Sequence, residues 1–123
     1  MKAKIILIAF ILMSMIKPIY AAEISKDNLS VTYVSVFGDR VSNPTYAYVT
    51  VIGLDDLSWL PTECASADGV IIPNSNNGSI IDTALLAVET GKKVRVRIET
   101  SVLIGNYCEL VQLMIWTNGS LNN

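Results

Sequence analysis

The 123-residue chain has no histidine, and only two cysteines, Cys64 and Cys108. The commonest general base is therefore missing, and two thiols are the only strong nucleophiles available. Zinc sites usually draw four ligands from cysteine and histidine, a set this chain cannot supply, so no metal site is expected. Carboxylates remain as a route to acid–base chemistry, and Asp55-Asp56 is an adjacent pair. Adjacent side chains in an extended turn diverge, and nothing nearby in the sequence would bury one of them and raise its pKa, so a turn is their expected role. There is no glycine-rich phosphate loop and no Gly-x-Ser-x-Gly elbow. The expectation is a binding protein without enzymatic activity or cofactor.

Two groups of residues suit binding. Tyr46, Tyr48, Trp59 and Trp116 offer aromatic faces that stack on sugar rings. Lys93, Arg95 and Arg97 form a cationic row that would suit an anionic group. They sit in "TGKKVRVRIET", where Val94, Val96 and Ile98 alternate with the charges, as on a half-buried strand. The row therefore has two readings, a solvated strand face paired with acidic neighbours or an anion site.

The elements that must position these residues follow from the patterning. "NLSVTYVSVFG", Asn28 to Gly38, reads as a strand, and "TYAYVTVIG", Thr45 to Gly53, as its antiparallel partner, with Tyr46, Tyr48, Thr50 and Ile52 on one face. "GVIIP", Gly69 to Pro73, reads as a short third strand. Ser79 stands at a helix N-cap position with Asp82 three residues on, and Gly91 stands where a left-handed residue ends a helix. Ile80, Ile81, Ala84, Leu85 and Val88 form its expected core stripe, leaving Leu86 and Ala87 outward and making Leu86 a candidate interface residue. Strands follow from Lys93 and over Cys108 to Trp116. Three strands, one helix and two strands predict an all-β fold with one helix, a five-stranded OB-fold-like antiparallel barrel in the order β-β-β-α-β-β.

The start of the chain points to export. Met1-Lys2-Ala3-Lys4 is a short basic start, and Ile5 to Ile16 is an apolar run of 12 residues. A membrane helix needs about 20 such residues, whereas a signal peptide needs roughly 7–15 before a cleavage point of small residues. Cleavage is expected after Ala21, giving residues 1–21 as signal peptide and 22–123 as one domain in the periplasm or outside the cell. Lys2, Lys4 and Lys17 would leave with the signal, so six Lys and Arg face eleven Asp and Glu, a net charge of −5. That balance argues against nucleic acid as a partner. In an oxidising compartment an even cysteine pair predicts a disulfide, Cys64 to Cys108.

A helix of small residues running through Thr90-Gly91-Lys92 into "KVRVRI", then a loop with a cysteine, then a strand ending "VQLMIW", resembles the small exported bacterial OB-fold proteins related to the B subunits of subtilase-type and pertussis-like toxins. The resemblance implies a carbohydrate-binding module that assembles as a homo-oligomer, a pentamer in the toxins, with host glycan as partner. The alternative is a periplasmic accessory or inhibitor protein that binds another exported protein.

Overall fold

The computed structural model describes residues 22–115, so the expected signal peptide lies outside the described residues. The elements are β1 (Glu23–Leu29), β2 (Val31–Val36), β3 (Val49–Leu54), β4 (Gly69–Pro73), α1 (Gly78–Thr90), β5 (Val94–Ile104) and β6 (Tyr107–Ile115), with 3-10 turns at Pro44–Tyr46 and Thr62–Cys64. Six strands make one sheet in the order β1-β5-β6-β4-β3-β2. β4 and β6 run parallel, and the other neighbours run antiparallel. Among the described residues no helix is long and apolar enough to cross a membrane.

The pairing gives six strands in a mixed sheet, where the sequence predicts five antiparallel ones. The extra strand comes from a break at Ser30. Its backbone N–H donates to Asp55 Oδ1 at 2.9 Å, and the Asp55 N–H donates to the Ser30 carbonyl at 3.1 Å. This clasp stops the ladder, so β1 pairs with β5 while β2 pairs with β3. Just before the break, Asn28 takes a left-handed φ of 62° at a bulge between Lys26 and Leu29, a conformation asparagine tolerates better than most residues.

The main core lies on one face of the sheet. Val94, Val96 and Ile98 are fully buried there with Ile52, Val70, Ile72 and Leu110, which fulfils the alternation of the "KVRVRI" stretch. On β6 the inward set changes phase: Cys108 and Leu110 are buried, and then Leu113. Val111 is the surplus residue of a bulge, since Arg97 pairs with Gln112 and the next residue, Ile98, with Leu110. A smaller cluster, Val49, Val51 and Ile71, packs on the opposite face against Tyr33, Phe37, Tyr46, Ile104 and Tyr107. This second cluster carries the site.

Two local expectations are corrected. Thr45 to Tyr48 is not strand: Pro44 opens a 3-10 turn and Tyr48 takes a φ of 55°, so β3 begins only at Val49. The helix begins one residue before Ser79 and has Asn77 at its N-cap, and Gly91 ends it with a φ of 69°. Its core-facing side is also rotated. Ala84 and Ala87 are the buried residues, with Ile80 and Ile81 packed against the core, while Leu85 and Val88 turn outward beside Leu86. Ala84 and Ala87 lie at the most buried line of the helix, where small side chains suit close packing, and Ile80 and Ile81 flank them against the core.

Candidate functional site

β2 places Tyr33, Ser35 and Phe37 along one side, the period of two that a strand imposes. With Val51 of β3 they floor an open cavity of about 500 Å³. Its walls come from three loops. The β2–β3 connection supplies Arg40, Asn43 and Tyr46, the segment before β4 supplies Asp68, and the β5–β6 turn supplies Asn106 and, at its end, Tyr107.

Each tyrosine is held by something specific. Tyr33 lies opposite Gly53 in the β2–β3 register, and its ring covers that glycine; a Cβ on Gly53 would come within 2.2 Å of the ring. Tyr46 and Tyr107 meet edge to face, centroids 5.9 Å apart and planes at 84°. The Tyr46 hydroxyl donates to Asn106 Oδ1 at 3.0 Å, and the Tyr107 hydroxyl donates to Asp68 Oδ1 at 2.7 Å. Asn106 Nδ2 in turn donates to Ser66 Oγ at 3.4 Å. At the other end the Arg40 guanidinium sits over the Phe37 ring, 4.8 Å from its centroid.

The electrostatics follow from these contacts. The hydrogen bond from Tyr107, then that from Tyr33, holds the Asp68 carboxyl below the ordinary carboxylate range. Burial and the neighbouring Asp68 carboxylate push the Tyr107 phenol up to about 12 and the Tyr33 phenol higher still. Near neutral pH the corner therefore holds one anion and two neutral phenols.

The disulfide Cys64–Cys108, with Cα atoms 5.6 Å apart, fixes this corner. It ties the 3-10 turn at Thr62–Cys64 to β6 beside Tyr107, so Ser66 and Asp68 are delivered to Asn106 and Tyr107 across a separation of about 40 residues. The disulfide expected from the sequence is present.

Of the three aromatic candidates among the described residues, the structure brings only Tyr46 to the cavity. Tyr48 is 59% exposed and outside the lining, because its left-handed backbone turns it away from the β3 face. Trp59 packs against the main core and donates its indole N–H to the Asp56 carbonyl at 2.9 Å. Trp116 lies outside the described residues. Lys93, Arg95 and Arg97 face the edge strand and its end: Arg95 bonds Asp27 in a two-pronged contact, Arg97 lies 4.0 Å from Glu23, and Lys93 Nζ donates to Ser30 Oγ at 2.7 Å. None of the three lines the cavity. Asp56 serves a turn, accepting from the Ser58 N–H and hydroxyl, whereas Asp55 accepts from the Ser30 N–H in the clasp between strands.

Tyr33, Phe37, Arg40, Asp68, Asn106 and Tyr107 escape the sequence reading. Two signals existed for them: Tyr33, Ser35 and Phe37 alternate on one strand face, and Gly105-Asn106 is a dipeptide suited to a two-residue hairpin turn. Among the described residues no group of three or more histidine, cysteine, aspartate or glutamate side chains could hold a metal ion. Comparison with protein-family models, with curated proteins and with solved structures returns no match.

Proposed function

We propose that the protein is an exported, non-enzymatic module that binds a glycan in the cavity between Tyr33, Phe37, Tyr46 and Tyr107. The observation that carries this reading is the convergence of aromatic side chains with Asp68, Asn106, Asn43 and Arg40 in one open cavity. Sugar rings present apolar C–H faces to aromatic groups and hydroxyls to planar polar side chains, and this lining offers both. A cavity of about 500 Å³ has room for one or two sugar rings.

The fold reading deepens this. β1 and β2 are the two end strands of the sheet, yet only Ser30 separates them, so the sheet curls until its ends approach at that residue. Counted as one bent strand, they leave five strands with the helix between the third and fourth, the layout of an OB-type barrel. OB barrels bind oligosaccharides and oligonucleotides through the loops between strands one and two and between strands four and five. Under that count these loops hold Arg40, Asn43 and Tyr46, and Gly105 and Asn106, all at the cavity. Export is supported by the disulfide and by the amino-terminal pattern.

A glycan array probed with the protein, followed by calorimetry on the best ligand, tests the proposal. Tyr46→Ala and Tyr107→Ala should each weaken binding at least tenfold with the circular dichroism unchanged. Binding that survives both substitutions would move the site elsewhere.

A further inference from the structure

The direction of the hydrogen bonds at the Asp68 end restricts what can enter it. A phenol has one proton to give. Tyr107 gives its proton to Asp68 and Tyr46 gives its proton to Asn106, while the Tyr33 phenol lies near enough to the same Asp68 carboxylate to lower its pKa. Having given their protons, Tyr46 and Tyr107 can meet a ligand in the cavity only as acceptors. An ionised carboxylate is itself acceptor-only, with about four acceptor positions, one of which accepts from Tyr107. This end of the cavity presents acceptors, a negative charge and aromatic faces.

The opposite end is a donor. Arg40 stands over Phe37, and Tyr33 stands beside Asp68. Tyr33 and Phe37 are four residues apart on one face, about 13 Å at the rise of a strand. Arg40 is held at the Phe37 end, forms no ion pair with Asp68 and is not among the groups that shift its carboxyl, so the Asp68 corner keeps its negative charge.

We propose that the Asp68 corner receives a protonated amine, and that the ligand class is an oligosaccharide carrying free amino sugars. The inference rests on the glycan reading above and specifies its chemistry. A hydroxyl donates one hydrogen bond and leaves the carboxylate charge unanswered, whereas an ammonium brings three donors and the opposite charge. It also gains from the electron-rich faces of Tyr33, Tyr46 and Tyr107. Acylating the nitrogen removes the charge and all but one donor, so the corner discriminates against N-acetylated sugars.

The experiment is calorimetry of the protein at pH 6 with chitosan and chitin oligosaccharides of equal length, which differ only in acetylation of the amine. Wild type should bind the free amine about three- to tenfold more tightly, a modest factor because Asp68 is solvent-exposed. Asp68→Asn keeps the shape and removes the charge, and it should abolish the preference. Raising the salt concentration on unmodified protein should shrink the preference, which keeps the idea testable if the variant misfolds. Equal affinities, or a preference that survives Asp68→Asn, would overturn the amine assignment and leave the glycan reading standing. Failure of every oligosaccharide to bind, here and on the array, would remove both.

Discussion

Gly105 and Tyr46 touch at the rim of the cavity, and a Cβ on Gly105 would lie 2.0 Å from the Tyr46 hydroxyl oxygen. Gly105 also has a φ of 60°, a conformation that costs other residues about 1–2 kcal/mol. Gly105→Ala therefore meets a steric and a backbone penalty together, and the tyrosine must leave its hydrogen bond to Asn106 to relieve the first. The expected outcome is a stability loss of about 1–3 kcal/mol and loss of ligand binding. Urea unfolding alongside calorimetry checks both.

The disulfide is expected to matter for stability and for the site. It closes a loop of 44 residues, worth roughly 3–4 kcal/mol in the chain-entropy description. Cys64→Ala with Cys108→Ala should lower the urea midpoint accordingly. Asp68 and Ser66 lose their tether to β6 at the same time, so binding should fall further than residual folding explains. Tight binding by a folded double variant would show that β4 alone positions Asp68.

The Asp68–Tyr107 contact has a pH signature. A phenol whose pKa is raised in the fold favours the folded state below its ordinary value of 10, and that contribution is lost as pH climbs to about 12. A carboxyl whose pKa is lowered in the fold contributes above its ordinary 3.8, and loses this as pH falls through the lower folded value. The contact therefore stabilises between about pH 4 and pH 10. Tyr107→Phe should delete a late-ionising phenol from the tyrosinate absorbance titration. It should also shrink the stability lost in acid, because Asp68 no longer has that donor.

The cationic row invites a direct comparison of its two readings. Arg95 and Arg97 bridge to Asp27 and Glu23 on β1, and exposed pairs of this kind contribute little to stability. Changing both arginines to glutamine should leave stability nearly unchanged and binding at the cavity intact. A large loss of binding to an anionic glycan, with unchanged circular dichroism, would restore the row as a ligand site.

How much of this was legible in the sequence depends on range. Gly69–Pro73 is readable as a short apolar run closed by a polar loop, and Val94, Val96 and Ile98 by their alternation, because signals within a single strand decide both. The cavity is not, since its members come from five separate segments, and Asp68 meets Tyr107 where Cys64 is tied to Cys108. Tyr46 was found for its residue type, although its strand assignment failed at Pro44. Tyr33 carries no local signal of its place over Gly53, because nothing in its own strand reveals that Gly53 leaves space for its ring. The rotation of α1 was hidden for a similar reason: hydropathy ranks leucine above alanine, whereas close approach to a sheet selects the smaller side chain.

That rotation sharpens the last prediction. Leu85, Leu86 and Val88 are 44, 51 and 37% exposed, so the outer side of α1 carries three aliphatic side chains where only Leu86 was expected to be a large one. A single exposed leucine is ordinary, but three on one short helix make a patch suited to self-association. A homo-oligomer of the kind the sequence resemblance implies would bury it against a second copy of the chain, as a closed ring requires of a repeated surface. Leu86→Lys places a charge in that patch without touching the buried Ala84 and Ala87, so the monomer should keep its fold and its stability to within about 0.5 kcal/mol. Sedimentation of wild type and variant side by side gives the outcome: an assembled wild type and a smaller variant support the oligomer. If both run as the same stable monomer, the ring is abandoned and the accessory-protein alternative gains.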